Sequence, residues 1–294
     1  MMQKNKLKSL IHFHFIVFIF GFTAILGSLI SIDSLSLVWY RMSIALLVLV
    51  IIALMLRINL RVKKDIFFQM FIAGFLISLH WITFFKAIKV SNVSITLSVL
   101  SLGAFITSFL EPLIYGRKII KYEILLGLVV FAGTFLIFQS QMHFYEGIIY
   151  ALISVFLSVV FALMNGKLIE KSSAVVISIY ELLAGVVFIT ITLLFLDEFD
   201  SNFFDLSDLD FLWILILGIV CTAYAYVVSV DVLKHLTPYS TMISINMEPV
   251  YGIVLAIIIL DENQNLSYGF YIGFFMIFCS IILNGIMKLK NKNQ

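Results

Sequence analysis

The feature that most constrains this chain is a succession of apolar segments, each about twenty residues long, separated by short polar connections. The hydrocarbon core of a bilayer is about 30 Å thick, and a helix needs about 20 apolar residues to cross it. Inside lipid, only a helix or a closed barrel satisfies every backbone hydrogen bond. The pattern therefore predicts an all-α membrane protein with ten transmembrane helices, at about 11–31, 34–56, 66–88, 92–115, 122–139, 146–166, 174–196, 211–233, 237–260 and 268–287.

The composition excludes several classes of protein. The chain is 62% hydrophobic and 12% charged, whereas soluble domains carry about 25% charged residues. Its net charge of +2 is scattered along the chain and indicates no surface for nucleic acid. The two cysteines lie in apolar segments, without the spacing of a disulfide framework or a zinc site. We therefore expect the lipid bilayer as the surroundings, no nucleic-acid partner, no cofactor and no metal.

The basic residues predict the orientation, because Lys and Arg in short loops are retained on the cytoplasmic side of a membrane. With the N-terminus inside, sixteen of the nineteen Lys and Arg residues fall on the cytoplasmic side. The loop between the seventh and eighth spans, on the opposite side, carries acids and no basic residue. We predict a multi-pass protein of the cell (inner) membrane with both termini cytoplasmic.

The second half of the chain repeats the first. Tyr40-Arg41 in the second span falls on Tyr180-Glu181 in the seventh at a shift of 140 residues. Each half holds five spans, an odd number, so the second half must enter the membrane with the opposite orientation. Inverted repeats of this kind build carriers that work by alternating access. We predict two inverted five-helix repeats, in residues 1–140 and 141–294.

Three ionisable residues inside the predicted spans are the best candidates for function, because a charge at the bilayer centre costs about 2.5–3.5 kcal/mol on insertion scales. Glu248 lies near the middle of its span, where it could bind a cationic or amine substrate or take up a proton. Arg41 lies about 10 Å from the outer edge. It could hold a substrate carboxylate through its planar fork, or it could be the counter-charge of an acid. Glu181, about 10 Å from the inner edge, has the same two interpretations with the sign reversed.

Two prolines mark candidate hinges, since a proline inside a helix removes one donor and frees a carbonyl four residues back. Pro249 follows Glu248, and Pro112 follows Glu111. Glu111 is a weaker candidate, because it lies about 7 Å from the cytoplasmic edge and Arg117 nearby could neutralise it. We expect both proline-containing helices to bend when the protein switches between its two states.

Polar side chains spaced by three and four form stripes on the predicted helices. The ninth span carries one such stripe, and the serines of the fourth span form another. A stripe of this kind either lines a polar cavity or holds neighbouring helices together. Together with the charged residues, the side chains that could line one cavity are Tyr40, His80, Trp81, Asn165, Tyr180, Ser244 and Asn246.

The ninth span carries a resemblance to a known family. It reads Pro-Tyr-Ser, then Asn-Met-Glu-Pro-Val-Tyr-Gly-Ile-Val-Leu-Ala, and ends Leu-Asp-Glu. With ten spans in an inverted repeat, the chain resembles the EamA-like transporters of the drug/metabolite transporter superfamily from about Phe13 to Leu283. Asp261-Glu262 is similar to the family's Gly-Glu turn after helix 9. The first half reads Tyr-Gly-Arg-Lys at 115–118, which keeps the glycine and loses the acid.

The resemblance implies a ten-helix carrier with a central cavity. It would move small metabolites such as amino acids or their relatives, often outward, by exchange or coupled to protons. The alternatives are an intramembrane enzyme, for which the chain offers no catalytic motif, and a structural or sensory membrane protein. No nucleotide-binding loop is present either. We therefore expect a gradient-driven carrier and not an enzyme, with an oligomeric state that the sequence leaves open.

Overall fold

The computed structural model describes residues 2–199 and 202–291. The basic residues near both termini, on which the predicted orientation partly rests, lie outside the residues whose side chains are described. All regular structure in the described part is helical, which confirms the predicted fold class. Ten stretches of it are long and apolar enough to cross a membrane, and we number them spans 1 to 10: Ile11–Leu29, Ser34–Met55, Lys64–Val90, Val93–Tyr115, Lys121–Ser140, Met142–Leu168, Ala174–Phe195, Asp208–Lys234, Pro238–Leu260 and Tyr268–Met287.

Seven of the spans are formed by uninterrupted α-helices, and three are not. The uninterrupted helices are Met2–Leu29, Ser34–Met55, Lys64–Val90, Lys121–Ser140, Tyr145–Leu168, Ala174–Phe195 and Tyr268–Asn291. Span 4 consists of Val93–Leu100 and Gly103–Tyr115, and span 9 of Pro238–Ile245 and Glu248–Leu260. Span 8 contains a π-helical stretch, Ile219–Tyr224, between Asp208–Gly218 and Ala225–Asp231.

Spans 4 and 9 begin in the same way. The side chain of Asn92 accepts a hydrogen bond from Ile95 N at 2.8 Å, and that of Thr237 accepts one from Ser240 N at 3.2 Å. Such caps satisfy backbone donors that have no partner in the first turn of a helix. Pro238 follows in the first turn, where a proline loses no hydrogen bond.

The two spans are also interrupted at equivalent places. Span 4 breaks at Ser101 and span 9 at Asn246, which are 145 residues apart. Their caps are separated by the same distance along the chain. Pro249 stands in the first turn after the break in span 9. Pro112, in contrast, lies inside the second helix of span 4, more than two turns beyond the break. A glycine, Gly103, starts the helix after that break.

Contacts between distant segments place alternate connections at opposite ends of the bundle. The hydroxyl of Tyr180 donates to Leu60 O at 2.8 Å at one end. At the other end, Asp210 accepts hydrogen bonds from Ser31. We call the first the basic end, with the connections at 56–63, 116–120, 169–173 and 235–237. The second is the acidic end, with those at 30–33, 91–92, 141, 196–199 with 202–207, and 261–267.

Glycine pairs allow close helix packing at two crossings. A Cβ at Gly273 of span 10 would lie 2.5 Å from the carbonyl oxygen of Gly133 in span 5. A Cβ at Gly21 of span 1 would lie 3.0 Å from Gly252 N in span 9. Both crossings lie within one chain, so Gly273 serves the packing of spans 5 and 10.

Candidate functional site

A cavity of about 120 Å³ lies between the two repeats, lined by residues of spans 1 to 4, 6, 8 and 9. One water needs roughly 10–15 Å³ of such space, so the cavity has room for a solute of roughly ten non-hydrogen atoms. Most of its wall is apolar, and the aromatic part consists of Phe20, Trp81, Phe84, Phe161 and Tyr226. Ligand sites in proteins share this combination of an apolar wall and a few polar groups.

In spans 6, 8 and 9 the cavity lining extends toward the basic end, whereas in span 3 it continues to Phe84, about two helical turns from the acidic end. Asn165 of span 6, Leu233 of span 8 and Thr241 of span 9 line it, and each lies within about one helical turn of that end. In span 9 the lining stops at Glu248, and no lining residue comes from Asp208–Gly218 of span 8. These three spans therefore place the cavity lining between the middle of the bundle and the basic end.

Arg41 of span 2 lies at the deep end of the cavity, 2% exposed. Its Nε donates to Thr222 Oγ1 at 2.9 Å, and its guanidinium carbon lies 4.0 Å from the centre of the Trp81 ring. Nη1 has no hydrogen-bond partner, and no described acid forms a salt bridge with the side chain. The planar face of this cation is thus supported by an aromatic ring, while its charge is not compensated by a described carboxylate.

Thr222 reaches Arg41 because of the π-helical stretch in span 8. Its hydroxyl donates to Leu217 O, five residues back, at 2.7 Å, which leaves the oxygen free to accept from the guanidinium. Single π-helical turns occur preferentially at functional sites. Nothing in the spacing of the sequence indicated this contact.

Glu248 also lines the cavity, 7% exposed, as the first residue of the helix after the break in span 9. Its carboxylate forms no hydrogen bond or salt bridge with another described residue. A Cβ at Gly21 of span 1 would lie 3.2 Å from Glu248 O, so span 1 packs directly against this position. One cavity thus contains a guanidinium and a carboxylate, neither of which is neutralised by the described part of the protein.

Glu181 lies behind the cavity wall, fully buried. Its Oε2 accepts a hydrogen bond from the Tyr226 hydroxyl at 2.5 Å and from Asn165 Nδ2 at 3.4 Å. Both partners line the cavity, whereas Oε1 of Glu181 has no partner. Tyr226 also packs edge-on against Trp81, with ring centres 5.5 Å apart. A single layer of side chains therefore separates Glu181 from the space where a solute would lie.

Two further candidates from the sequence lie in the cavity wall. His80 Nδ1 lies 2.9 Å from Ser154 O and 2.8 Å from Ser154 Oγ. Asn246, at the break in span 9, donates from Nδ2 to Ser101 O at 3.2 Å. Their side chains therefore face the cavity while span 6 holds His80 and span 4 holds Asn246.

The structure places four other candidates away from the cavity. Tyr40 donates to Phe203 O near the acidic end, and Tyr180 bonds to a loop at the basic end. Ser244 donates to Ser240 O within its own helix. Glu111 accepts from the backbone of span 9 at the basic end. The serines of span 4 also bond within their own helix and do not line the cavity: Ser98, Ser101 and Ser108.

Tyr226 lines the cavity and binds Glu181, yet its position in the sequence does not mark it as a site residue. Tyr224 and Tyr226 have the same type and neighbouring positions, yet Tyr224 is 42% exposed and contacts His12 at 2.5 Å outside the cavity. Tyr226, in contrast, donates its hydroxyl to Glu181 of span 7 and packs its ring against Trp81 of span 3. No spacing signal in the sequence distinguishes the two tyrosines.

Ten helices in two inverted repeats, with a cavity between the repeats that holds uncompensated charges, define a membrane transport protein. The chain belongs to the EamA-like transporter family, whose sequence model matches residues 8–139 and again residues 145–286. A curated relative, the Uncharacterized transporter YxxF of Bacillus subtilis (strain 168), is 24% identical over 237 residues. These residues are 79% of this chain and 73% of that protein. A solved crystal structure of another protein aligns with 95% of this chain and 98% of its own, with a TM-score of 0.71 and 15% identity, and shows the same fold.

Proposed function

We propose that this protein is a secondary carrier that moves small amino-acid-like metabolites across the cell (inner) membrane by alternating access. The observation that carries the proposal is the pair of uncompensated charges, Arg41 and Glu248, in one solute-sized cavity. A buried charge without a partner is unfavourable, so such groups persist where a ligand completes them. A zwitterion would offer a carboxylate to Arg41 and an ammonium to Glu248.

The rest of the cavity suits the same class of solute. Its aromatic and aliphatic wall would take an apolar side chain, and its size matches a solute of roughly ten non-hydrogen atoms. Arg41 is suited to a carboxylate because its planar fork offers two parallel donors. Glu248 could instead carry a proton in exchange for the solute, and Glu181 could do so through Tyr226.

The direction of transport that we propose is export. With both termini in the cytoplasm, the basic end faces the cytoplasm, because basic loops are retained there. In spans 6, 8 and 9 the cavity lining reaches toward this end, which supports uptake of the solute from inside the cell. We propose that the solute is transported without chemical change, so the released molecule is identical to the one that was bound.

The test is exchange of solutes by the purified protein in liposomes. A panel of radiolabelled amino acids is offered with and without an imposed pH gradient, and the released solute is checked for chemical identity. We expect exchange of apolar zwitterions, reduced about tenfold or more in Glu248→Gln, because a hydrogen bond to a charged group contributes about 1.5–3 kcal/mol. Glu146→Gln, at an exposed acid outside the cavity, is the matched control.

Two results would contradict the proposal. Exchange by Glu248→Gln that equals wild type, with an unchanged response to the gradient, would remove Glu248 from the site. Absence of exchange for every solute in the panel, from folded protein, would reject amino-acid-like metabolites as the cargo.

A further inference from the structure

The end of span 9 holds the start of span 4. Glu262, just beyond the last turn of span 9, accepts hydrogen bonds from Val93 N at 2.8 Å and from Ser94 N at 2.9 Å. These donors belong to the first turn of span 4, where backbone N–H groups have no partner within the helix. Glu262 is 7% exposed, so the contact is shielded from water. A carboxylate at this place is also favoured by the helix dipole.

At the opposite end of the bundle, span 4 holds the start of span 9. Glu111 in the last turns of span 4 accepts a hydrogen bond from Tyr239 N at 2.9 Å. Glu111 is 3% exposed and lies 3.4 Å from Arg117 Nε. Arg117 also binds Glu123 at 2.9 Å and lies over the Tyr239 ring at 5.5 Å. Each of the two spans therefore caps the other with a carboxylate.

The two contacts are built from different positions of the repeat. Asp261 and Gly116 both end their spans with a positive φ, of 51° and 68°, and are equivalent in the repeat. The position after each is Glu262 in the second half and Arg117 in the first. The first half thus lacks the acid at the turn, and Glu111, more than one helical turn earlier, supplies the carboxylate instead. In both halves a carboxylate near the end of one span caps the start of the other span, but it comes from different positions of the repeat.

A third connection joins the spans at half height. Asn246, at the break in span 9, donates to the carbonyl of Ser101 at the break in span 4. Spans 4 and 9 are therefore bonded at both ends and at their shared interruption.

The hydrogen bond between Glu111 and Tyr239 at the basic end indicates whether the bonds between spans 4 and 9 must break during transport. The cavity extends toward the basic end, yet the Glu111 contact with Tyr239 at that end is intact. A bond between spans 4 and 9 is thus compatible with a cavity that reaches toward the same end. Because the repeats are inverted, the Glu262 contact need not break for access from the acidic end.

We propose that Glu262 and Glu111 are positioning residues that keep spans 4 and 9 paired throughout the transport cycle, so that the two spans move as one body. This inference rests on the proposed alternating access. Opening toward the acidic end then occurs elsewhere, where span 1 ends. There Asp210 accepts from Ser31 N at 2.7 Å and from Ser31 Oγ at 2.5 Å, and Lys89 Nζ donates to Ile30 O at 2.8 Å.

Reversible cross-linking separates a permanent contact from a gate. The background carries Cys221→Ala and Cys279→Ala, because these are the two cysteines of the chain. One variant adds Val93→Cys and Glu262→Cys across spans 4 and 9, and the other adds Ser31→Cys and Asp210→Cys across spans 1 and 8. Both are joined with a short dithiol-reactive linker, and the yield is measured by mass spectrometry. Solute exchange in liposomes is then compared before cross-linking, after it and after reduction.

The two cross-links should have opposite effects. The 93/262 variant loses its carboxylate and should exchange about tenfold more slowly before cross-linking, at unchanged KM, because charge-assisted hydrogen bonds are lost. Its cross-link should restore exchange, since a covalent bond replaces the lost contact. The 31/210 cross-link should stop exchange, and reduction should release it. Arrest of exchange by the 93/262 cross-link would overturn the proposal.

A second measurement does not depend on flux. Spin labels at positions 92 and 261 report the distance between spans 4 and 9 at the acidic end, and labels at 31 and 211 report the separation of spans 1 and 8. We expect one narrow distance for the first pair and two distances for the second. Two distances for the first pair would overturn the inference, even where no transported solute has been found. Failure of exchange in the wild-type protein, in contrast, would count against the proposed function alone.

Discussion

Replacing Arg41 with methionine distinguishes a binding residue from a structural one. Three contacts would be lost: the hydrogen bond from Nε to Thr222, the stacking on Trp81 and a longer contact over the Phe85 ring, at 5.3 Å. The first, a hydrogen bond from a charged group, contributes about 1.5–3 kcal/mol, and the second about 2 kcal/mol when shielded from water. No buried carboxylate would lose its partner, because no described acid forms a salt bridge with Arg41.

The gain from the same substitution is of comparable size. Keeping a buried charge without a partner costs several kcal/mol even after local relaxation, and methionine removes this cost. The thioether side chain would also pack well against aromatic neighbours such as Trp81. We therefore expect the free energy of unfolding of Arg41→Met to stay within about 1–2 kcal/mol of wild type. A structural partner in a buried ion pair would instead cost about 3–5 kcal/mol when removed.

Two assays test this prediction together. Reversible unfolding in mixed detergent micelles gives the change in stability, and exchange in liposomes gives the change in transport. We expect transport of carboxylate solutes to be lost while stability is retained. Arg61→Met, at an exposed position of the basic end, is the matched control and should change neither. Destabilisation of Arg41→Met by 3–5 kcal/mol would refute the reasoning. A loss of that size would show that Arg41 is one partner of a buried ion pair within the protein, whereas the proposed function requires its charge to be unpaired until the solute binds.

Two further substitutions test the surroundings of the site and the packing of the bundle. Tyr226→Phe keeps the ring against Trp81 and removes the hydrogen bond to Glu181, so exchange should fall about tenfold, as expected for a bond to a charged group. Exchange equal to wild type would separate Glu181 from transport. Gly273→Ala should destabilise the protein by about 1–3 kcal/mol through overpacking, since its Cβ would lie 2.5 Å from a carbonyl oxygen of span 5. Gly285→Ala, with no atom within 4 Å of the added Cβ, is its control, and equal melting of the two variants would contradict the assignment.

The sequence predicted the ten spans because the signal for them is an average over about twenty residues. A few polar residues do not obscure such an average, and the predicted and observed spans agree to within four residues at either end. The charges were predicted for the same reason, since an ionisable group in hydrocarbon is conspicuous. Arg41 and Glu248 both line the cavity.

The directions of individual side chains and the place of the break in span 4 could not be predicted from the spacing of residues in the sequence. Helical periodicity states which residues share a face, and only the packing of neighbours decides where that face points. Tyr40 and Tyr180 adjoin the charged residues, yet each points toward an end of the bundle. The break in span 4 lies at Ser101, where no proline stands, and the carbonyl at the break accepts a hydrogen bond from Asn246 of the other repeat.

The residues that shape the backbone match between the two repeats, whereas the charged residues in the spans do not. Asn92 and Thr237 cap equivalent helices, and the interruptions that follow them also coincide, so duplication has preserved the backbone framework. The charges do not follow this symmetry. Arg41 and Glu181 are equivalent by sequence and opposite in sign, and only Arg41 reaches the cavity. The groups that our proposed function uses therefore lie where the two copies differ, because a symmetric framework can present one asymmetric solute only through side chains that are not themselves symmetric.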